Sequence, residues 1–246
     1  MPTPDVNFYE GHRERLRAKF MAGQLTEAEF VELLLTYAIP RRDVRPISRD
    51  LMRRYKGLLN ITSAPVDELM KVAGIGPRAA EFFKCIGYST TLQFQQVLND
   101  KPVFHNYDIL LNYCKMLLTN KTREEVHVMY LDANCKLKAT ELHTIGTLNE
   151  SSVYPRDIAA RAYALNAVFV ILVHNHPGGT KTFSNDDKKI TMELALTLES
   201  MNMRLQDHFL VVNGTIISAR DSGLLPKDDA TLNPQHHKHS LTEPAE

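Results

Sequence analysis

Ala167-Val168-Phe169-Val170-Ile171-Leu172-Val173-His174-Asn175-His176-Pro177-Gly178-Gly179, with Ser184-Asn185-Asp186-Asp187 shortly after it, decides how this chain reads. The first seven residues are apolar, rich in β-branched side chains and too few for a helix, which predicts a strand buried on both faces. Successive strand side chains point to opposite faces, so His174 and His176 project together and Asn175 projects away. Pro177 cannot donate to a ladder and Gly178-Gly179 permits a turn, so the strand ends on its histidines. Apolar residues at Ile190, Leu194, Leu196, Leu198 and Met201 then predict a helix opened by Ser184, with Asp187 in its first turn. A carboxylate there suits the positive end of the helix dipole and lies close to the turn that follows the histidines. His174, His176 and Asp187 can therefore supply three ligands to one Zn(2+) per chain and leave the fourth position to water, the pattern of a catalytic site. Ser184 and Asp187 also have near-capping-box spacing, a role that coexists with ligation on one turn, and Asp186 competes with Asp187 for the metal.

Two other zinc enzymes use similar histidines. Zinc deaminases need His-x-Glu and a later Pro-Cys-x-x-Cys, whereas Cys85, Cys114 and Cys135 stand alone. A TIM barrel with His-x-His on a strand end takes about 250 residues for the barrel itself, and this chain has 246 in all.

The chain resembles a known family at this point. His174-x-His176-Pro177 with Ser184-x-x-Asp187 is similar to the JAMM (MPN-type) metalloprotease motif. Gly146-Thr147-Leu148-Asn149, Tyr154-Pro155-Arg156-Asp157, Leu165-Asn166-Ala167 and Asp207-His208 resemble its bacterial RadC-like branch. The likeness spans nearly the whole chain apart from its extreme ends. It implies a mixed α/β domain of JAMM type, cytidine-deaminase-like in fold, with His174, His176 and Asp187 on zinc and Ser184 as the oxyanion donor. It also implies a glutamate just before a hydrophobic strand that ends in Leu-Asp, here Val126 to Leu131-Asp132. Counting back selects Glu124, with Glu125 as competitor, since adjacent strand residues face opposite ways and only one can see the metal. The implied activity is hydrolysis of a peptide or isopeptide bond: zinc lowers the pKa of its water from ~15.7 to about 7 while the glutamate takes the proton. Pro177-Gly178-Gly179 stands where relatives often have Pro-Ser-Gly, Thr182-Phe183 where a proline is common before the serine, and Asp157 where a glutamate is common; no ligand position changes.

With 43% hydrophobic and 24% charged residues the chain can bury a core, in one large or two small domains. Three unpaired cysteines, no leader and no apolar run near the ~20 residues that span a bilayer predict a reduced, cytoplasmic protein without a membrane partner. Net charge is zero, so no whole-chain field attracts nucleic acid. Residues 1–95 hold 14 Lys or Arg against 11 Asp or Glu, an excess of three, gathered in Arg41-Arg42-Asp43-Val44-Arg45 and Arg49 to Lys56. That run reads first as a solvated helix face.

This amino-terminal part reads as an all-α domain over 8–95. Thr26-Glu27-Ala28-Glu29 has capping-box spacing, and Pro40 ends the helix it opens. Within 66–84 a helical segment Val66 to Ala73 breaks at Gly74-Ile75-Gly76-Pro77 and restarts at Arg78, a pattern that resembles a helix-hairpin-helix. In that motif the glycines permit the turn, Ile75 plugs between the helices, and N–H groups at the second helix's start can receive a phosphate. Lys71, Arg78 and Lys84 add charge, so Gly74, Gly76 and these three are the candidate DNA contacts, nonspecific and salt-sensitive. A plain Gly-turn between packed helices, or a protein-interaction module, fits the same residues. A linker is expected over 96–106, the JAMM domain over 107–226 and a polar tail over 227–246, whose His236-His237-Lys238-His239 is more a tail feature than a metal site. Strands are expected near Val126–Leu131, Leu137–Leu142, Val168–Val173, Phe209–Val212 and Ile216–Ser218. The first functional expectation is a zinc metallopeptidase acting on an unknown protein or peptide. The alternative, suggested by the hairpin and the family's link to DNA repair, is a DNA-associated accessory protein whose metal site is structural. Substrate and oligomeric state are not in the sequence.

Overall fold

The computed structural model describes residues 6–146 and 154–226; the expected tail and Thr147-Leu148-Asn149 lie outside the described residues. The chain divides into two compact units at Ser89/Thr90.

The first unit is helical: α1 (Val6–Met21), α2 (Glu27–Ala38), α3 (Arg45–Tyr55), α4 (Leu58–Ser63), α5 (Val66–Met70) and the start of α6 (Pro77–Asp100). The capping box that opens α2 forms as its spacing predicts. Glu29 N donates to Thr26 Oγ1 at 3.3 Å and Thr26 N to Glu29 Oε2 at 3.0 Å. Val31, Leu35, Ile47, Leu51, Ile61, Leu69, Ile75 and Phe83 form the unit's core, which buries Ile75 in the turn between α5 and α6. The helix expected over 66–73 closes at Met70, and turn bonds from Val72 N to Leu69 O and from Ile75 N to Val72 O carry the chain to Gly74. Gly74 needs to be glycine: its φ is +96°, and a Cβ there would sit 2.7 Å from Ile47 Cδ1. Gly76 has open space around its Cβ position.

The stretch expected as a linker, 96–106, is instead helical as far as Asp100 and then a 3₁₀ turn, Val103–Asn106. Phe94 and Leu98, four apart on that helix, pack into the core.

The second unit is a five-stranded mixed sheet in the order β2-β1-β3-β4-β5, from β1 (Glu125–Leu131), β2 (Leu137–Ile145), β3 (Phe169–Asn175), β4 (Arg204–Val212) and β5 (Thr215–Ser218). β1 is antiparallel to both neighbours, β3 and β4 are parallel, and β5 folds back on β4. One face carries Val126, Val128, Tyr130, Val170 and Leu172, packed with Ile158 and Ala162 of α8 (Pro155–Ala164) and Ile190, Leu194 and Leu198 of α9 (Asn185–Glu199). The other face carries Met129, Leu131, Ile171, Val173 and Phe209, packed with Leu98 and with Leu110, Tyr113 and Leu118 of α7 (Tyr107–Leu118). β3 is sandwiched between both layers, which is why its sequence is apolar on consecutive residues. α8 has Pro155 at its start and Asp157 in its first turn. No described helix is long and apolar enough to cross a membrane.

β4 begins at Arg204, five residues before the expected start at Phe209. Gln206, Asp207 and His208 broke the apolar run that marked a strand, yet all three are buried. Buried polar side chains must find partners. Asp207 takes bonds from Ser218 Oγ at 2.6 Å, His208 N at 2.7 Å and Arg220 N at 3.1 Å.

Candidate metal centre

The carboxyl end of β3, the amino end of β1 and the first turn of α9 meet at one place. Antiparallel pairing puts Val126 opposite His174, so the residue entering β1 lies beside the residues leaving β3. Asn175 then extends the ladder with its side chain. Its Oδ1 accepts from Glu125 N at 2.8 Å and its Nδ2 donates to Arg123 O at 3.1 Å, bracketing Glu124 on both sides. Gly146 N, at the end of β2, donates to Glu124 O at 2.8 Å. Glu124 is thus held by its neighbours' backbone.

Donor atoms of Glu124, His174, His176 and Asp187 all lie within 4.8 Å of one another. His174 Nε2 is 3.1 Å from His176 Nε2 and 3.2 Å from Asp187 Oδ1, and His176 Nε2 is 3.3 Å from Asp187 Oδ2. Glu125 is excluded from this group. One step along the strand turns it to the other face, where Lys121 Nζ lies 2.9 Å and His127 Nε2 3.0 Å away. Asp186 faces solvent while Asp187 is 1% exposed.

The α9 cap explains how Asp187 is aimed. Ser184 N donates to Asp187 Oδ2 at 2.6 Å, and Asp187 N donates to Ser184 Oγ at 3.1 Å, a complete capping box. The box uses Oδ2 and leaves Oδ1 buried without a hydrogen-bond partner. It uses a lone pair of the exposed Ser184 Oγ and leaves the hydroxyl proton to donate. His176 Nδ1 lies 3.0 Å from Thr180 O. Only an N–H can face a carbonyl, so in the neutral ring Nε2 carries the lone pair.

The electrostatics follow from burial and these contacts. Burial holds His174 below the ordinary histidine range, partly offset by Asp187. The bond to Asp187 raises His176 against a smaller effect of burial. For Asp187 burial acts upward, but the neighbouring His174, His176 and Ser184 together hold its carboxyl far below the usual range. Burial raises Glu124, with His176 opposing and Asp187 adding to the rise. Two imidazoles, an ionised carboxylate with an unpartnered oxygen and a second carboxylate are the donor set of a divalent cation that accepts nitrogen and oxygen.

Behind these groups lie residues that sequence reasoning missed. His174 Nδ1 is 2.7 Å from Nε2 of His208, whose Nδ1 is 2.6 Å from Thr191 Oγ1. Burial pushes His208 well down, so its ring is neutral. Phe183, 6% exposed, places its ring 5.9 Å from that of His174 and 5.1 Å from that of His208. In the sequence the signal for Asp207-His208 is a polar pair inside a run of strand residues.

The candidate DNA contacts are placed differently from one another. Gly74 and Gly76 form the hairpin turn, and Arg78 is exposed in the first turn of α6. Lys71 is paired with Glu68. Lys84 turns inward: its Nζ donates to the carbonyls of Thr62, Ser63 and Ala64 at 2.9, 3.1 and 3.0 Å, closing the end of α4. Three carbonyls that end a helix need donors, and they take the ammonium expected to face phosphate.

A family model for the RadC-like JAB domain matches residues 104–224. The chain is 34% identical over 226 residues to a UPF0758 protein of Fusobacterium nucleatum, covering 88% of this chain and 97% of that one. It is also 34% identical over 222 residues to a UPF0758 protein of Ruegeria pomeroyi, covering 89% and 99%. A mixed sheet with Glu124, His174, His176 and Asp187 gathered at the ends of its central strands, shared sequence with these proteins over most of the chain, and a matched JAB domain place this protein in the RadC-like family.

Proposed function

We propose that this chain is a zinc-dependent hydrolase of amide bonds, a peptidase or isopeptidase. The observation that carries this reading is the convergence of four donor atoms within 4.8 Å, with Asp187 Oδ1 buried and unpartnered among them. His174, His176 and Asp187 would hold the ion. Bound there, zinc supplies Lewis acidity, making water a nucleophile near neutral pH and polarising a carbonyl.

The chain's own residues divide the remaining work. Glu124, half-buried and raised by burial, is suited to take a proton from water and return it to a leaving amine. Asn175 keeps Glu124 beside the histidines through its two backbone bonds. The Ser184 hydroxyl proton, not spent in the cap, donates to the developing oxyanion.

Metal analysis of the purified chain and a proteome-wide comparison of cleaved peptides test this reading. Wild type should carry one zinc, and His174→Ala and Asp187→Ala should lose it. Glu124→Gln should keep zinc and lose hydrolysis by roughly 10²- to 10⁴-fold, the usual worth of a general base. Zinc retained by both ligand variants overturns the site. Identical peptide profiles for wild type and Glu124→Gln overturn the hydrolase and favour a structural metal.

A further inference from the structure

We propose that Thr191, acting through His208, sets the tautomer of His174 that presents Nε2 to the metal. The proposal rests on the metal-centre reading above. His174 Nδ1 and His208 Nε2 lie 2.7 Å apart, so one proton lies between two ring nitrogens, and that contact alone permits either to own it. The choice has a consequence at the site. If His208 owned the proton, neutral His174 would carry its own proton on Nε2, and that nitrogen could not ligate.

The far side of His208 decides. Its Nδ1 lies 2.6 Å from Thr191 Oγ1, and that hydroxyl lies 2.5 Å from the main-chain carbonyl of Asp187, one turn back on α9. A hydroxyl has one proton, and a carbonyl can only accept. Thr191 therefore donates to Asp187 O and accepts from His208 Nδ1–H. Neutral His208 then has a bare Nε2, which accepts from His174 Nδ1–H. His174 is left with an Nε2 lone pair directed at the space beside His176 Nε2 and Asp187 Oδ1.

His174, Thr191 and His208 are each 0% exposed, so bulk water does not compete for these bonds. Phe183 covers the two imidazoles. The chain of bonds begins on one ligand and ends on the backbone of another, so α9 both supplies Asp187 and orients His174. For His176 the same task falls to Thr180 O directly. Thr191 and His208 are positioning residues; neither reaches the metal.

The test uses the full chain and two readouts. Ring-nitrogen NMR of the metal-free wild type should show His208 protonated on Nδ1 and His174 on Nδ1. Zinc affinity, measured by competition with a chromophoric chelator, should fall roughly 10- to 100-fold in Thr191→Val, the usual cost of losing an outer-shell partner. Thr191→Ser, which restores the hydroxyl, should bind like wild type. Equal zinc affinity in Thr191→Val, or His208 protonated on Nε2 in wild type, overturns the proposal while leaving the metal centre standing. A wild type that binds no zinc overturns the metal-centre reading itself.

Discussion

Glu124, Glu125 and Asp207 are acidic residues in or beside the same sheet, and their surroundings give them different work. Glu125 is held low by His127 and Lys121 despite the upward pull of burial, so it stays an ion-pair partner. Glu124 is raised, which suits proton transfer. Burial pushes Asp207 up to about 6 against the bonds it accepts from Ser218, Arg220 and His208. An acid with a raised folded-state pKa keeps its proton after the unfolded chain has released its own. The stability Asp207 contributes is therefore full below about 4 and lost as pH rises to about 6. At 1.36 kcal/mol per unit, a shift of about two units corresponds to about 3 kcal/mol. Asp207→Asn does not titrate, so the gap in unfolding free energy between wild type and this variant should move by about that much between pH 4 and pH 7. Urea titrations at both pH values would show it, and a constant gap would count against the buried-acid account. The sequence could narrow the candidate carboxylate to two adjacent glutamates; which one sees the site was legible only as a parity rule, because it depends on where β1 begins its pairing.

At the scale of elements, local signals were read where the causes are local. The capping boxes of α2 and α9 and the break at Pro177 each rest on residues within four positions of one another, and all three appear. The start of β4 and the length of α6 were missed because their causes are distant: Asp207 is satisfied by Ser218 and Arg220, and Leu98 is buried under other elements. The hairpin shows the same contrast between two glycines that look alike in sequence. Gly74→Ala meets both a left-handed φ and Ile47, so it should lower stability by 1 kcal/mol or more on the scale of about 1 kcal/mol for unsuited turn positions. Gly76→Ala, with nothing near its Cβ, should leave the unfolding midpoint close to that of wild type. Denaturant unfolding of both variants checks this; equal losses would refute the assignment of the turn to Gly74.

At the scale of the molecule, Glu124, His174, His176 and Asp187 meet because the order β2-β1-β3-β4-β5 sets the entry of one central strand against the exit of another. Under the proposed reading zinc would bind only where those ends are together, so it should stabilise the folded chain by mass action. Free zinc at 100 times its Kd should add about 2.7 kcal/mol to unfolding, and His174→Ala should remove the increment. Calorimetry or urea unfolding with and without zinc would detect it. An equal gain in His174→Ala would place the ion elsewhere.

The ligand spacing from His174 to Asp187, the buried strand before it and the capped helix after it follow from residue order alone, since each depends on strand parity, turn chemistry and helix capping over a few positions. Folding was needed to choose Glu124, fifty residues earlier, through the β1–β3 register and the Asn175 amide. It was needed again to bring Thr191 and His208 behind His174 and to turn Lys84 away from solvent. Those placements are set by partners far along the chain, and the geometry between such partners exists only once the core has closed.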